Sequence, residues 1–139
     1  MRAYFDTSAL LKLVLLEPGS ATALDAWRAA QQVAAVSVLY VEASAGLAAA
    51  RRARRLSALA HSESAGDLDR LWSSMHVVVA DHPLCERAAG LAEAESLRGY
   101  EAVHLAAALE YGADLLVCGD GDLLDAAVSR GLGTVDART

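Results

Sequence analysis

The chain is short of several things, and each shortage removes a class of protein. It has two cysteines, Cys85 and Cys118, in 139 residues. Neither their number nor their spacing makes a disulfide framework or a zinc site, and a reduced, cytoplasmic compartment follows as the expectation. Aromatic residues are 5% of the chain, so the core has to be built from Ala, Leu and Val, which suits helices packed closely on a sheet. There is one lysine, Lys12, and the formal net charge is −6. The basic balance that marks general nucleic-acid affinity is therefore missing. No run reaches the ~20 apolar residues of a membrane span. The opening Met1-Arg2-Ala3-Tyr4-Phe5-Asp6 has no signal-peptide pattern, because an acid interrupts it at once. No linker, repeat or low-complexity tract divides the chain, so residues 1–139 read as a single domain.

What is present is alternation. Residues 3–5, 33–38, 76–80, 114–118 and 134–135 read as strands. Helical patterns cover residues 9–16, 20–31 (with Ser20 as cap), 39–55 and onward to 74, 83–98, 100–111 and 122–130. The pair within 39–74 reads as a helical hairpin. Residues 100–111 are apolar on nearly every side, so that helix should be buried. Strands alternating with helices predict an α/β fold with a parallel sheet, and continuous apolar runs are what strands covered on both faces require.

The acids fall in telling places. In an open α/β sheet, ligands bind beyond the carboxyl ends of the strands. Asp6 follows the first strand directly, and Asp120 and Asp122 follow the fourth. Glu42 lies a turn into the helix after the second strand, which starts at the same edge. Glu101 opens the buried helix. Carboxylates brought together without matching cations repel, and a divalent cation relieves that repulsion. Oxygen-only donors suit Mg²⁺ or Mn²⁺. Such an ion activates water and stabilises charge on a phosphodiester, so hydrolysis by activated water is the expected chemistry.

Taken singly, each residue has a plainer reading. Asp6 before Thr7-Ser8 also reads as a helix cap. Asp120 and Asp122 also read as turn and cap residues around Gly119 and Gly121, Glu42 as a solvated helix acid, and Glu101 as a first-turn acid favoured by the helix dipole. Glu101 and His104 make a Glu-x-x-His pair of the sort found in di-iron bundles, but with one copy in an α/β pattern His104 reads as a hydrogen-bonded core histidine. The run Arg51-Arg52-Ala53-Arg54-Arg55 is the one strong positive patch. It reads equally as a solvated helix end and as a phosphate grip beside the acids.

Four ordered motifs together resemble the PIN-domain toxins of the VapC type. They are Phe5-Asp6-Thr7-Ser8-Ala9-Leu10, Val41-Glu42, the stretch from Leu97 through Glu101 and His104 to Ala106, and Val117-Cys118-Gly119-Asp120-Gly121-Asp122-Leu123. The resemblance spans essentially the whole chain. It implies a three-layer α/β/α sandwich with a central parallel sheet, and an acidic pocket for Mg²⁺ or Mn²⁺. It implies cleavage of single-stranded RNA, often tRNA or rRNA, by a cytoplasmic toxin. It also implies a homodimer and a small VapB-type antitoxin, with a heterotetramer or larger assembly when the antitoxin is bound. Asp6, Glu42 and Asp120 carry over as site residues, Asp122 as a frequent further acid, and Ser8 as a hydroxyl that orders the metal site.

Two positions depart from the pattern. Glu101 stands where the family most often has Asp, and the extra methylene adds roughly 1.5 Å of reach. Cys118 stands where Thr is common, which removes a firm hydroxyl hydrogen bond near Asp120. These departures keep open a catalytically weak or silent module that binds RNA or a partner. A haloacid-dehalogenase-type phosphatase is disfavoured because Ser8 occupies the place of its second Asp. A phospho-receiver domain is disfavoured because the single lysine, Lys12, is not after a late strand.

Overall fold

The computed structural model describes residues Met1–Thr139. Five strands form one parallel sheet in the order β3-β2-β1-β4-β5, where β1 is Arg2–Phe5, β2 Gln32–Val36, β3 His76–Val78, β4 Leu115–Cys118 and β5 Gly133–Asp136. Chain order runs outward from β1 to β3 on one side and from β4 to β5 on the other. The order therefore switches between β1 and β4, which pair directly through Ala3–Leu115, Tyr4–Leu116 and Phe5–Val117. A crevice opens at such a switch point, outside the carboxyl ends of the strands.

The two crossovers leading to β2 and β3 carry helices α1 (Thr7–Val14), α2 (Ser20–Ala29), α3 (Leu39–Arg52) and α4 (Ala58–Ser74), which pack on one another. The return to β4 and on to β5 carries α5 (His82–Glu95), α6 (Gly99–Tyr111) and α7 (Gly121–Ser129), a second mutually packed group. The result is the expected α/β/α sandwich. α3 and α4 form the expected hairpin, with Tyr40 at the start of one bonded to Asp69 and packed on Trp72 near the end of the other.

Small side chains let the layers approach. Ala3, Ala34 and Ala35 on the strands, and Ala107 and Ala108 on α6, are wholly buried among Phe5, Leu10, Leu105 and Leu116. α6 is buried on almost all sides, as its apolar pattern requires.

Several boundaries move by a residue or two. One difference is chemical: α2 is capped by Gly19 in a left-handed conformation (φ 92°), not by Ser20. The Ser20 hydroxyl closes the preceding turn instead, accepting from the Glu17 amide at 3.0 Å and donating to the Leu15 carbonyl at 3.0 Å.

Candidate active site

Asp6 directly follows β1, and its backbone amide donates to the Val117 carbonyl of β4 at 3.2 Å. Asp6 caps α1: its Oδ1 accepts the Ala9 amide at 2.9 Å. The Ser8 hydroxyl donates toward Oδ1 and Oδ2 (2.7 and 2.9 Å) and accepts the Gly119 amide at 2.9 Å. Ser8 thus ties the end of β1 to the turn after β4. Ser8→Ala would leave the Gly119 N–H without its acceptor, and losses of this kind cost roughly 1–3 kcal/mol. A fall of several degrees in the melting temperature, read by circular dichroism, is the expected result; an unchanged melt would mean the two loops hold without the tie. Asp6 is buried, and burial pushes its carboxyl above the usual range. The His104 ring, the Ala9 amide and Ser8 oppose that push, and the Asp120 charge adds to it.

A second wall comes from α3 and α6. Glu42 Oε1 accepts the Thr7 hydroxyl at 2.9 Å and lies 3.2 Å from His104 Nε2. His104 Nδ1 lies 2.8 Å from the Tyr4 hydroxyl. The arrangement is self-consistent with Nε2 protonated: the ring donates to Glu42 and accepts from Tyr4. The hydrogen bond from His104, with Thr7 in a smaller part, holds the half-buried Glu42 carboxyl below its usual range.

The third wall is the most acidic. Glu101, in the first turn of α6, is buried, and Asp120 caps α7 through the Leu123 amide at 3.0 Å. One ligand oxygen from each of Glu101, Asp120 and Asp122 lies within 4.8 Å of the others. Three carboxylates at this spacing fit a hard divalent cation, which takes oxygen donors. Arg98, the cap residue of α6, reaches over them. Its Nε donates to Glu101 and its Nη2 lies 3.3 Å from Asp120 Oδ2. Behind them, burial raises the Cys118 thiol well above its ordinary range, and its Sγ makes only a 3.5 Å contact with the Asp120 carbonyl.

The three walls enclose one cleft of about 270 Å³. Asp6, Ser8, Glu42, Glu101 and Asp120 all line it, and Asp122 joins its rim through the carboxylate triad. The arginine run does not. Arg51 is nine residues beyond Glu42 along α3, which a helix converts to roughly 14 Å. Arg51, Arg52, Arg54 and Arg55 are exposed at that far end, with Arg54 turning the chain at φ 59°.

Three lining residues with polar side chains were not singled out for the site from the sequence: Thr7, Tyr100 and His104. Thr7 could have been found as the hydroxyl beside Asp6. The Glu-x-x-His spacing did flag His104, but its partner is Glu42 on another helix.

The sequence model of the PIN domain matches residues 3–129. Ribonuclease VapC45 of Mycobacterium tuberculosis (strain CDC 1551 / Oshkosh) is 36% identical over 109 residues, covering 78% of this chain and 76% of that protein. Among solved structures, the M. tuberculosis VapC20 toxin, described as cleaving the sarcin-ricin loop, superposes with a TM-score of 0.71 at 20% identity, covering 96% of this chain and 98% of that one. A toxin-antitoxin complex from Klebsiella pneumoniae superposes with a TM-score of 0.68 at 20% identity, covering 97% of each chain.

Proposed function

The chain belongs to the PIN-domain family and is a ribonuclease of the VapC type, and we propose that it hydrolyses single-stranded regions of tRNA or rRNA as the toxin of a toxin–antitoxin pair. The observation that carries the site assignment is the meeting of five carboxylates at one switch-point cleft: Asp6, Glu42, Glu101, Asp120 and Asp122.

In this reading Glu101, Asp120 and Asp122 hold a divalent cation, with Asp6 facing them across the cleft. Mg²⁺ is the proposed resident ion and Mn²⁺ its substitute. When bound, such an ion supplies Lewis-acid charge to the phosphodiester and acidifies a water molecule. The protein does the positioning. Ser8 fixes the Asp6 carboxylate and the Gly119 turn together. Glu42 stays ionised between Thr7 and His104 and orients water from the opposite wall. Tyr100, half-exposed beside the acids, offers its ring to a base, a contact that tolerates any sequence. Arg138 lies against Gly121 at the turn after β4 and meets a phosphate at the rim. Arg51, Arg52, Arg54 and Arg55 contact RNA that runs on along α3, some 14 Å away by helix rise.

The partner in this proposal is a small VapB-type antitoxin. The Klebsiella neighbour is a toxin-antitoxin complex, and Leu16, 98% exposed beside an apolar groove lined by Leu13, Leu15 and Leu24, is a side chain that a partner would cover. A homodimer, a heterotetramer or larger assembly with antitoxin, and a cytoplasmic setting belong to the same reading. No helix is long and apolar enough to cross a membrane.

Single-stranded RNA should be cut with Mg²⁺ or Mn²⁺ and left intact in EDTA. Glu42→Gln should slow cleavage at least about 100-fold, as loss of a positioned acid or base does. Cleavage that persists in EDTA would overturn the metal assignment. One observation favours the silent-module alternative: Arg98 already pairs with both Glu101 and Asp120. Under that alternative, calorimetry with Mn²⁺ shows no heat of binding.

A further inference from the structure

Glu101 presents a problem that Arg98 solves. Its side chain is 2% exposed, and a carboxylate so buried needs a charged or hydrogen-bonding partner. The Arg98 guanidinium is that partner. The same guanidinium spans to Asp120, so one group covers two of the three carboxylates grouped at metal-ligand spacing. A divalent cation at this group would draw on the same two carboxylates. Two cations drawing on one pair of carboxylates repel, so the guanidinium and the metal compete for them.

Arg98 is built to leave. Its side chain is 67% exposed and is attached at the cap of α6, outside the helix proper. Its guanidinium carbon is 5.1 Å from the centroid of the Tyr100 ring, a face that attracts a cation. Position 101 sets how tightly it is held. Glu101 is the third residue of the helix, where an acid usually reaches back to the backbone of the cap residue. Here it holds the cap residue's side chain. An aspartate would fall short by roughly 1.5 Å.

We propose that Arg98 is a latch on the metal site: it holds Glu101 and Asp120 in the metal-free protein and is displaced when a divalent cation binds, so that metal affinity is set by this competition. The proposal rests on the reading that the cleft takes a divalent cation. It makes the extra methylene of Glu101 a device that strengthens the latch.

The test is Mn²⁺ titration of the full chain by calorimetry. Arg98→Gln should bind Mn²⁺ about fivefold more tightly than the unmodified chain, the factor matching release of a partly exposed ion pair. In a Glu101→Asp background, the same substitution should have a much smaller effect. Coupling is reciprocal, so Mn²⁺ should also speed modification of Arg98 by phenylglyoxal, read by peptide mass spectrometry. This second measurement uses the unmodified chain and holds even if Arg98→Gln folds poorly. Unchanged or weaker Mn²⁺ binding in a folded Arg98→Gln, or Arg98 reactivity indifferent to Mn²⁺, overturns the latch and leaves the metal reading standing. No Mn²⁺ binding to any of the proteins overturns both.

Discussion

Asp6→Asn is expected to slow RNA cleavage severely while raising the melting temperature of the metal-free protein. The two effects have one cause. Asp6 is buried at the crevice, and burial together with the Asp120 charge raises its carboxyl above the ordinary 3.8. An acid whose folded-state pKa is raised binds its proton more tightly in the folded state. It favours folding most below the unfolded pKa, and that advantage is lost as pH rises through the window between 3.8 and the raised value. Above that window the group is a standing cost relative to the unfolded chain. Asparagine keeps the Oδ1 that accepts the Ala9 amide, since Asn caps helices as well as Asp does, and it removes the charge.

Relief of a strained functional site commonly yields about 1 kcal/mol, or roughly 3 °C in a domain of this size. The gain should appear in EDTA at pH 7 and fade below pH 4. It should shrink or reverse with saturating Mn²⁺, because a bound cation turns the charge into an asset. Cleavage should fall on the order of 1,000-fold, since several kcal/mol of charge stabilisation is lost. A lower melting temperature in EDTA would show that the Asp6 charge stabilises the fold and would sink the argument. Glu42 has the opposite sign: held below its usual range by His104, it stabilises at neutral pH and loses that contribution as acid protonates it.

The fold and the acid-bearing edge were readable because both rest on local patterns. Asp6 is the first residue after one apolar strand and Asp120 the second after another, and a parallel sheet delivers such residues to a single edge whatever the details of packing. Glu101 was readable for a related reason, as an acid opening an apolar helix. What was not readable depends on rotamers and on partners far along the chain. Glu101 and His104 share a helix face, yet they serve different walls: Glu101 turns to Arg98, and His104 turns to Glu42 on α3. No spacing rule contains that second pairing. The arginine run posed a problem of length. Helix α3 points away from the crevice and ends at Arg52, so charges that look close to Glu42 in the sequence are set at the helix's far end. Arg98 stood in plain view in the motif, but only geometry shows its guanidinium across two carboxylates.

Gly19→Ala is the substitution expected to damage the fold most, and its effect should reach the site. Gly19 has a φ of 92°, and a Cβ there would sit 1.9 Å from the Ala137 carbonyl oxygen. The backbone strain costs roughly 1–2 kcal/mol, and forcing the tail aside adds about 1–3 kcal/mol more. The total, on the order of 3 kcal/mol, corresponds to a drop of roughly 10 °C. The obstacle is backbone, so the accompanying substitution Ala137→Gly should not rescue it. The tail cannot shift freely, because Ala137 is buried and its amide donates to the Cys118 carbonyl at 2.8 Å. On either side of it, the Asp136 carboxylate grips the Arg138 guanidinium, which holds that carboxyl down at about 2. That grip places Arg138 Nη1 3.3 Å from where a Cβ on Gly121 would stand. Displacing residue 137 therefore moves the cation assigned to the RNA phosphate. At a temperature where Gly19→Ala is still folded, RNA affinity in EDTA should fall along with stability. A melting temperature within about 3 °C of the unsubstituted chain would mean that the tail yields cheaply, and that this turn does not position Arg138.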